Sequence, residues 1–168
     1  LIFSFAMPLR RATPADVPDL FEMLVELATF EKLQDDVKIS RDQFARDFEE
    51  GCFRGFIVID DETNKAAGMV LYHFTYNCWE GKTVSMDELI VRPEYRNKRY
   101  GKLLWAAVAE VAKERGATHI NWDVLDWNES AIRFYDSVAG VKEVKNDEGF
   151  LRYRMSKEGI DGFLESRN

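Results

Sequence analysis

Between Val17 and Phe30 apolar residues recur at helical spacing: Val17, Leu20, Phe21, Leu24, Leu27 and Ala28 line one stripe. The stripe is preceded by Thr13-Pro14, an N-cap threonine before a proline at the first helical position, and by a short strand, Leu9-Arg10-Arg11-Ala12. Ser40-Arg41-Asp42-Gln43 opens a second helix, with Phe44 and Phe48 on one face. The period then changes. Arg54 to Asp60, around Phe56-Ile57-Val58-Ile59, predicts a strand; Ala66 to Trp79 predicts a longer one, and Thr83 to Val91 a third. Turns at Glu62-Thr63-Asn64-Lys65 and Glu80-Gly81-Lys82 separate them, and Arg92-Pro93 ends the last. Helical spacing returns over Gly101 to Arg115, where Leu104, Ala107, Val108, Val111 and Ala112 form the apolar face and Gly116 is the stop. His119 to Asp126 predicts a strand, and Asn128 to Ala139 a helix with Gly140 behind it. Val141 to Lys145 and Phe150 to Met155 predict a final strand pair, and Lys157 to Ser166 a helical or partner-docking tail. The order β-α-α-β-β-β-α-β-α-β-β predicts an α/β fold, a mixed sheet with helices on its faces.

The 168 residues are 46% hydrophobic and 32% charged, enough apolar material for one domain with a sizeable core. Leu1 to Ala6 is apolar but short, with no basic leading segment, and is set aside as an N-terminal extension; residues 7–168 are expected to form a single domain. The net charge of -7 argues against nucleic-acid and anionic-membrane partners and favours a cationic ligand. Two cysteines, Cys52 and Cys78, allow no disulfide framework or thiolate metal site and are expected as small core residues. Two histidines, His73 and His119, leave little room for a His-rich site, so no metal is expected. No apolar run approaches the roughly 18–20 residues needed to span a bilayer, and the cytosol is the default location.

One stretch carries chemistry. A strand ending in Asp87-Glu88-Leu89-Ile90-Val91 enters a turn in which Arg96, Lys98, Arg99 and Lys102 surround the start of a helix. Amides at a helix start lack internal acceptors and sit at the positive end of the dipole, so such a turn suits a pyrophosphate. By spacing alone, a solvated basic loop fits as well.

From Arg96 to Gly101 the turn resembles the acetyl-CoA loop of GNAT-superfamily N-acetyltransferases: Arg or Gln, two residues, Gly, one residue, then Gly or Ala. Arg99 stands where that loop has its first glycine. Val124-Leu125-Asp126-Trp127-Asn128-Glu129-Ser130-Ala131-Ile132-Arg133-Phe134-Tyr135 resembles the superfamily's later strand-to-helix segment, which ends on a catalytic tyrosine. Glu26 to Leu33, Val37-Lys38-Ile39-Ser40, Phe74-Thr75-Tyr76 with Trp79-Glu80-Gly81-Lys82, and Glu148-Gly149 resemble one branch, the spermidine/spermine acetyltransferases and their thialysine Nε-acetyltransferase relatives. The resemblance spans roughly Leu9 to Tyr153. It implies the acyl-CoA N-acyltransferase fold, with a mostly antiparallel mixed sheet, and acetyl-CoA as cosubstrate.

The resemblance also implies roles. Tyr135 protonates the departing CoA thiolate, a step suited to a phenol. The family's proposed base, a glutamate, aligns with Asp87, and its neighbouring aspartate with Glu88, so the order is reversed here. Neighbours on a strand point to opposite faces unless a bulge intervenes. Leu89, Ile90 and Val91 lend main-chain groups to the pantetheine, while Asn97, Lys98, Arg99, Tyr100, Gly101 and Lys102, with Arg96, cradle the pyrophosphate. Asn128 holds the pantetheine arm or caps its helix, with Glu129, Ser130 and Ala131 beside it. Phe30, Glu31 and Glu148 align with substrate contacts, and Trp79 and Trp127 either flank an amine stem or pack in the core. No Ser-His-Asp arrangement is offered and neither cysteine falls at a matched catalytic position, so direct attack of the amine in a ternary complex is expected. Asn77 replaces an acidic residue of the polyamine enzymes, which favours thialysine over spermidine. A non-catalytic acetyl-CoA-binding module stays open because of Arg99. A homodimer is expected, with Ile160, Phe163 and Leu164 of the tail as a candidate contact.

Overall fold

The computed structural model describes residues 8–138, 140, 141, 143, 144 and 155–165. The chain divides between Leu125 and Asp126 into two compact units. In the first, five strands run in the spatial order of the sequence: β1 (Leu9–Arg11), β2 (Arg54–Ile59), β3 (Ala66–Asn77), β4 (Gly81–Val91) and β5 (Ile120–Asn121). The β1–β4 neighbours pair antiparallel, and β5 joins β4 parallel. The expected mixed, mostly antiparallel sheet is present.

Helices α1 (Val17–Phe30) and α2 (Arg41–Glu49) lie between β1 and β2 in sequence. Pro14 and Pro18 both occupy early helical positions, the first in a 3-10 turn (Pro14–Asp16) that leads into α1. Ser40 caps α2, its Oγ accepting from the Gln43 N–H at 3.2 Å. Val17, Leu20 and Met23 of α1, with Phe44 of α2, bury against Ile57, Met69, Leu71 and Ile90 of the sheet. Phe44 also meets Phe21 and Phe53 at ring distances of 5.5 and 4.7 Å. Arg92, just after β4, ties α1 to the sheet: it donates to Glu26 at 2.7–3.1 Å and to the Ala66 carbonyl at 3.0 Å. Helix α3 (Tyr100–Arg115) buries Leu104, Ala107, Val108, Val111 and Ala112, the apolar face its spacing predicts. It ends on left-handed Gly116 at φ 65°.

Five expectations need correction. Strand β5 covers two residues, not His119 to Asp126. Its pairing stops at Ser85–Asn121, one residue pair before β4 bulges, and a bulge twists its strand away from a neighbour. Strand β3 ends at Asn77 rather than Trp79, because the Asn77 Oδ1 accepts from the N–H groups of Trp79 and Glu80 and closes the hairpin turn. Cys52 and Cys78 are both exposed. Each lies in a turn, beside left-handed Gly51 or in the β3–β4 hairpin, where there is no inward face to occupy. In the second unit, α4 spans Glu129–Asp136 and stops short of Ala139; residues 141, 143, 144 and 155 are not in strands. The remainder of the expected final strand pair, Glu148 included, lies outside the described residues. The tail does form a helix, α5 (Lys157–Glu165), with Ile160, Phe163 and Leu164 exposed.

Candidate active site

The β3–β4 hairpin sets the geometry of the first unit. Counting back from Asn77–Gly81, the register pairs His73 with Ser85 and Tyr72 with Met86, then shifts so that Leu71 pairs with Glu88. Asp87 is the extra residue of a β-bulge. The consequence is chemical. Val84, Met86, Leu89 and Val91 share one face with Phe74, Tyr72, Val70 and Gly68, while Ser85, Asp87 and Glu88 all fall on the face of Leu71 and His73. Both carboxylates therefore point the same way, toward the side covered by α1.

Glu88 is half-buried, and burial pushes its carboxyl up to about 7, helped by the negative charges of Glu31 and Asp87. Glu31, the residue after α1, is itself raised by burial. Phe30 ends α1 and is 47% exposed beside it in sequence. A carboxylate with this proton affinity can accept a proton from an ammonium near neutral pH, and three acidic groups favour a cation.

Asp87 is held differently. Its Oδ2 lies 2.6 Å from His73 Nδ1, and its Oδ1 accepts from Ser85 Oγ at 3.0 Å. His73 and Ser85 were absent from the sequence-derived site. The three side chains do not form a nucleophilic triad, because the serine hydroxyl donates to the carboxylate rather than to the imidazole. They fix Asp87 as an oriented negative charge next to Glu88.

Beyond Ser85 the β5-side edge of β4 has no strand partner among the described residues, so Leu89, Ile90 and Val91 present main-chain groups there. The strand leads through a 3-10 turn (Pro93–Tyr95) into the basic segment and α3. Asn97 and Arg99 are left-handed, at φ 68° and 62°, and Arg99 is the residue before the helix. The position that carries glycine in the resembling loops thus does adopt positive φ, at some cost to an arginine. Arg96, Arg99 and Lys102 are exposed; the Lys98 ammonium instead sits on Asp60 and Glu62, at 2.7 and 2.9 Å.

Gly101 supplies a test of fit for a phosphate group. Its φ is not positive, and a Cβ there would meet only Val91 Cγ2, at 3.8 Å. Neither backbone nor packing demands a glycine, which costs a helix roughly 1 kcal/mol against alanine. Close approach of a ligand to the backbone does demand one. With the orphan amides of the first turn and three exposed cations around it, the segment fits a pyrophosphate.

Trp79 is 85% exposed in the hairpin turn, six residue pairs along β3 from Leu71–Glu88, or roughly 20 Å at the usual rise of a strand. The chain does not bring its own Trp79 to Glu88. In the second unit, Asn128 caps α4, its Oδ1 accepting from the Ala131 N–H at 3.2 Å, so the capping role holds. Glu129, Ser130 and Ala131 form the first turn; Trp127, 46% exposed, precedes the cap. Tyr135 lies near the end of α4, half-buried, with its ring 5.4 Å from that of Phe134.

The fold alone is shared with solved structures of low sequence identity. A probable acetyltransferase superposes with a TM-score of 0.69 at 17% identity, covering 89% of this chain and 97% of that one. An aminoglycoside acetyltransferase from an uncultured soil metagenomic sample gives 0.70 at 14%, covering 88% and 95%. The sequence profile described as "Acetyltransferase (GNAT) family" matches residues 17–141. The chain belongs to this family and is an acetyl-CoA-dependent acyltransferase. Among curated relatives, a thialysine N-epsilon-acetyltransferase of Caenorhabditis elegans is 35% identical over 153 residues, 91% of this chain and 94% of the relative. The Mus musculus protein of the same name is 33% identical over 160 residues, covering 90% and 94%. A spermidine/spermine N(1)-acetyltransferase-like protein of Homo sapiens is 24% identical, and the alignment covers 23% of its length.

Proposed function

We propose that the protein transfers acetyl from acetyl-CoA to the primary amine of a small cationic amine or amino acid such as thialysine, by direct attack in a ternary complex. The observation that carries this reading is the bulge, which sets Asp87 and Glu88 on one face with Glu31 acting on Glu88 electrostatically. A lysine-like ammonium, with pKa about 10.4, must lose a proton before it attacks. Glu88 is the better base: it is the half-buried group raised to about 7, whereas Asp87 is tied to His73 and Ser85. Asp87 supports it as a fixed charge. Glu31 and Phe30 are the amine contacts of the first unit; the family resemblance alone gives Trp127 and Glu148 amine-contact roles and Tyr135 the role of proton donor to the leaving thiolate.

Acetyl-CoA lies along the open edge of β4, its pantetheine on Leu89, Ile90 and Val91; the family resemblance gives Asn128 to Ala131 as further pantetheine residues. Its pyrophosphate rests between Arg96 and Lys102, where Gly101 admits close approach. The residues from 7 onward act as one acetyltransferase domain, since the family profile crosses the division at Leu125. The enzyme works in the cytosol as a homodimer, in which the exposed hairpin-turn Trp79 is offered to a partner subunit.

Thialysine is favoured over polyamines by its relatives' names and by Asn77, whose side chain here closes the hairpin turn instead of adding a carboxylate. Its sulfur lowers the amine pKa and leaves more free base at neutral pH. An amine panel with acetyl-CoA and a thiol-release readout tests the reading. Thialysine should be turned over with the highest kcat/KM. Preference for spermidine would make it a polyamine enzyme, and no turnover of any amine in the panel would refute the small-amine reading.

A further inference from the structure

Asp60 follows β2 and is a buried carboxylate, 1% exposed, that the acetyl-transfer chemistry does not use. Its Oδ1 accepts from Lys98 Nζ at 2.7 Å and from the Tyr100 hydroxyl at 2.8 Å. Its Oδ2 accepts from the Thr63 N–H at 3.1 Å and from the Thr63 hydroxyl at 3.0 Å. Thr63 Oγ1 in turn lies 3.1 Å from the Tyr95 hydroxyl. The carboxylate is itself fixed by a tight turn, because the Asp60 N–H donates to the Lys65 carbonyl and the Asn64 N–H donates to the Asp60 carbonyl, at 2.9 and 2.8 Å. Tyr95 of the 3-10 turn, Lys98 of the basic segment and Tyr100 at the start of α3 thus converge on one small cluster in the β2–β3 connection.

Lys98 and Tyr100 flank Arg99, the left-handed residue that stands where related loops have glycine. An arginine does not adopt that conformation unaided, and something must hold it there. We propose that Asp60 is the positioning residue of the acetyl-CoA turn: by gripping Lys98 and Tyr100 on either side of Arg99, it holds Arg99 left-handed and sets the start of α3 for the pyrophosphate. Lys98 then serves by anchorage. Its charge is balanced by Asp60 and Glu62, and Arg96, Arg99 and Lys102 supply the cationic field. A glycine at this position would need no such grip. The inference rests on the reading that this turn binds acetyl-CoA.

Steady-state kinetics of the full chain decide it. Asp60→Asn keeps the shape and weakens the hold on Lys98; it should raise the acetyl-CoA KM about tenfold. The amine KM, and kcat at saturating acetyl-CoA, should stay within about twofold, a split that general loss of stability would not produce. Lys98→Met should reproduce the effect, and Lys98→Arg should restore near-normal KM; both lie at the surface and serve if the aspartate variant fails to fold. In an Arg99→Gly background, where residue 99 turns left-handed by itself, Asp60→Asn should raise the acetyl-CoA KM by about threefold or less. An equal effect in both backgrounds, or parallel changes in both substrates' KM, overturns the proposal. Arg96→Gln separates the two readings. If it raises the acetyl-CoA KM while Asp60→Asn and Lys98→Met do not, the positioning role alone fails. If it leaves that KM unchanged, the turn is not the phosphate site.

Discussion

Glu88→Gln should make the protein more stable and nearly inactive. Gln has the shape of a protonated glutamic acid but cannot ionise. In the folded chain Glu88 titrates near 7 because burial, Glu31 and Asp87 all oppose its charge; its ordinary value is 4.5. At 1.36 kcal/mol for each tenfold in proton affinity, ionising it in the native state costs roughly 3 kcal/mol, an upper figure because salt screens the exposed Asp87. The sign follows from proton counting. Between 4.5 and 7 the native state holds the proton and the unfolded chain does not, so stability falls as pH rises through this window. Below 4.5 both states are protonated and the cost vanishes. The variant should therefore melt like the parent at pH 4 and about 6–12 °C higher at pH 8. Carboxylates such as Asp16, lowered by Arg10, titrate alike in both proteins and cancel in the difference. The pH profile of kcat/KM supplies the second measurement: the parent should show an ascending limb near 7, and the variant should lose that limb with kcat down about 10²–10⁴-fold. Equal melting temperatures at pH 8 would refute the burial argument. A limb that survives in the variant would remove Glu88 as the base.

Tyr135→Phe keeps the ring against Phe134 and removes only the hydroxyl, so kcat should fall about 10²–10⁴-fold with acetyl-CoA affinity unchanged by titration; an unaltered kcat would sink the proton-donor role. Sedimentation equilibrium at micromolar concentration should return twice the chain mass, whereas 19.5 kDa would reject the dimer. A dimer that survives deletion of Gly159 to Asn168 would place its interface outside the tail.

Helices α1, α2 and α3 were legible because each buries a single stripe whose spacing is local. The bulge was legible too, though only conditionally expected: apolar residues alternate at Val84 and Met86, then resume at Leu89 and Val91, a slip of one position that falls on Asp87-Glu88. Hairpin counting from Gly81 likewise reaches His73 opposite Ser85. Strand β5 misled for the opposite reason. Ile120, Trp122 and Val124 alternate well, but a strand exists only where a neighbour offers a ladder, and β4 turns away after Ser85. Asp60 was not legible at all. In Asp60-Asp61-Glu62 it looks like one of a solvated charge run, and its burial is decided by Lys98 and Tyr100, which are remote in sequence.

A single inserted residue links the two halves of the chemistry. Without Asp87 as an extra residue, β4 would keep an even alternation, Asp and Glu neighbours would face opposite sides, and nothing would end pairing with β5 at Ser85. With it, the strand opens its edge and turns both carboxylates to one face at the same place. A thioester held, as proposed, on main-chain groups from Leu89 onward would then lie within a residue or two of Glu88, the proposed base. In that proposal the distance between base and thioester would be set by strand geometry rather than by a loop. The loop would then have to supply only the anchorage of the far end of the cosubstrate, and there an arginine stands in place of a glycine, flanked by Lys98 and Tyr100, which both bond the buried Asp60.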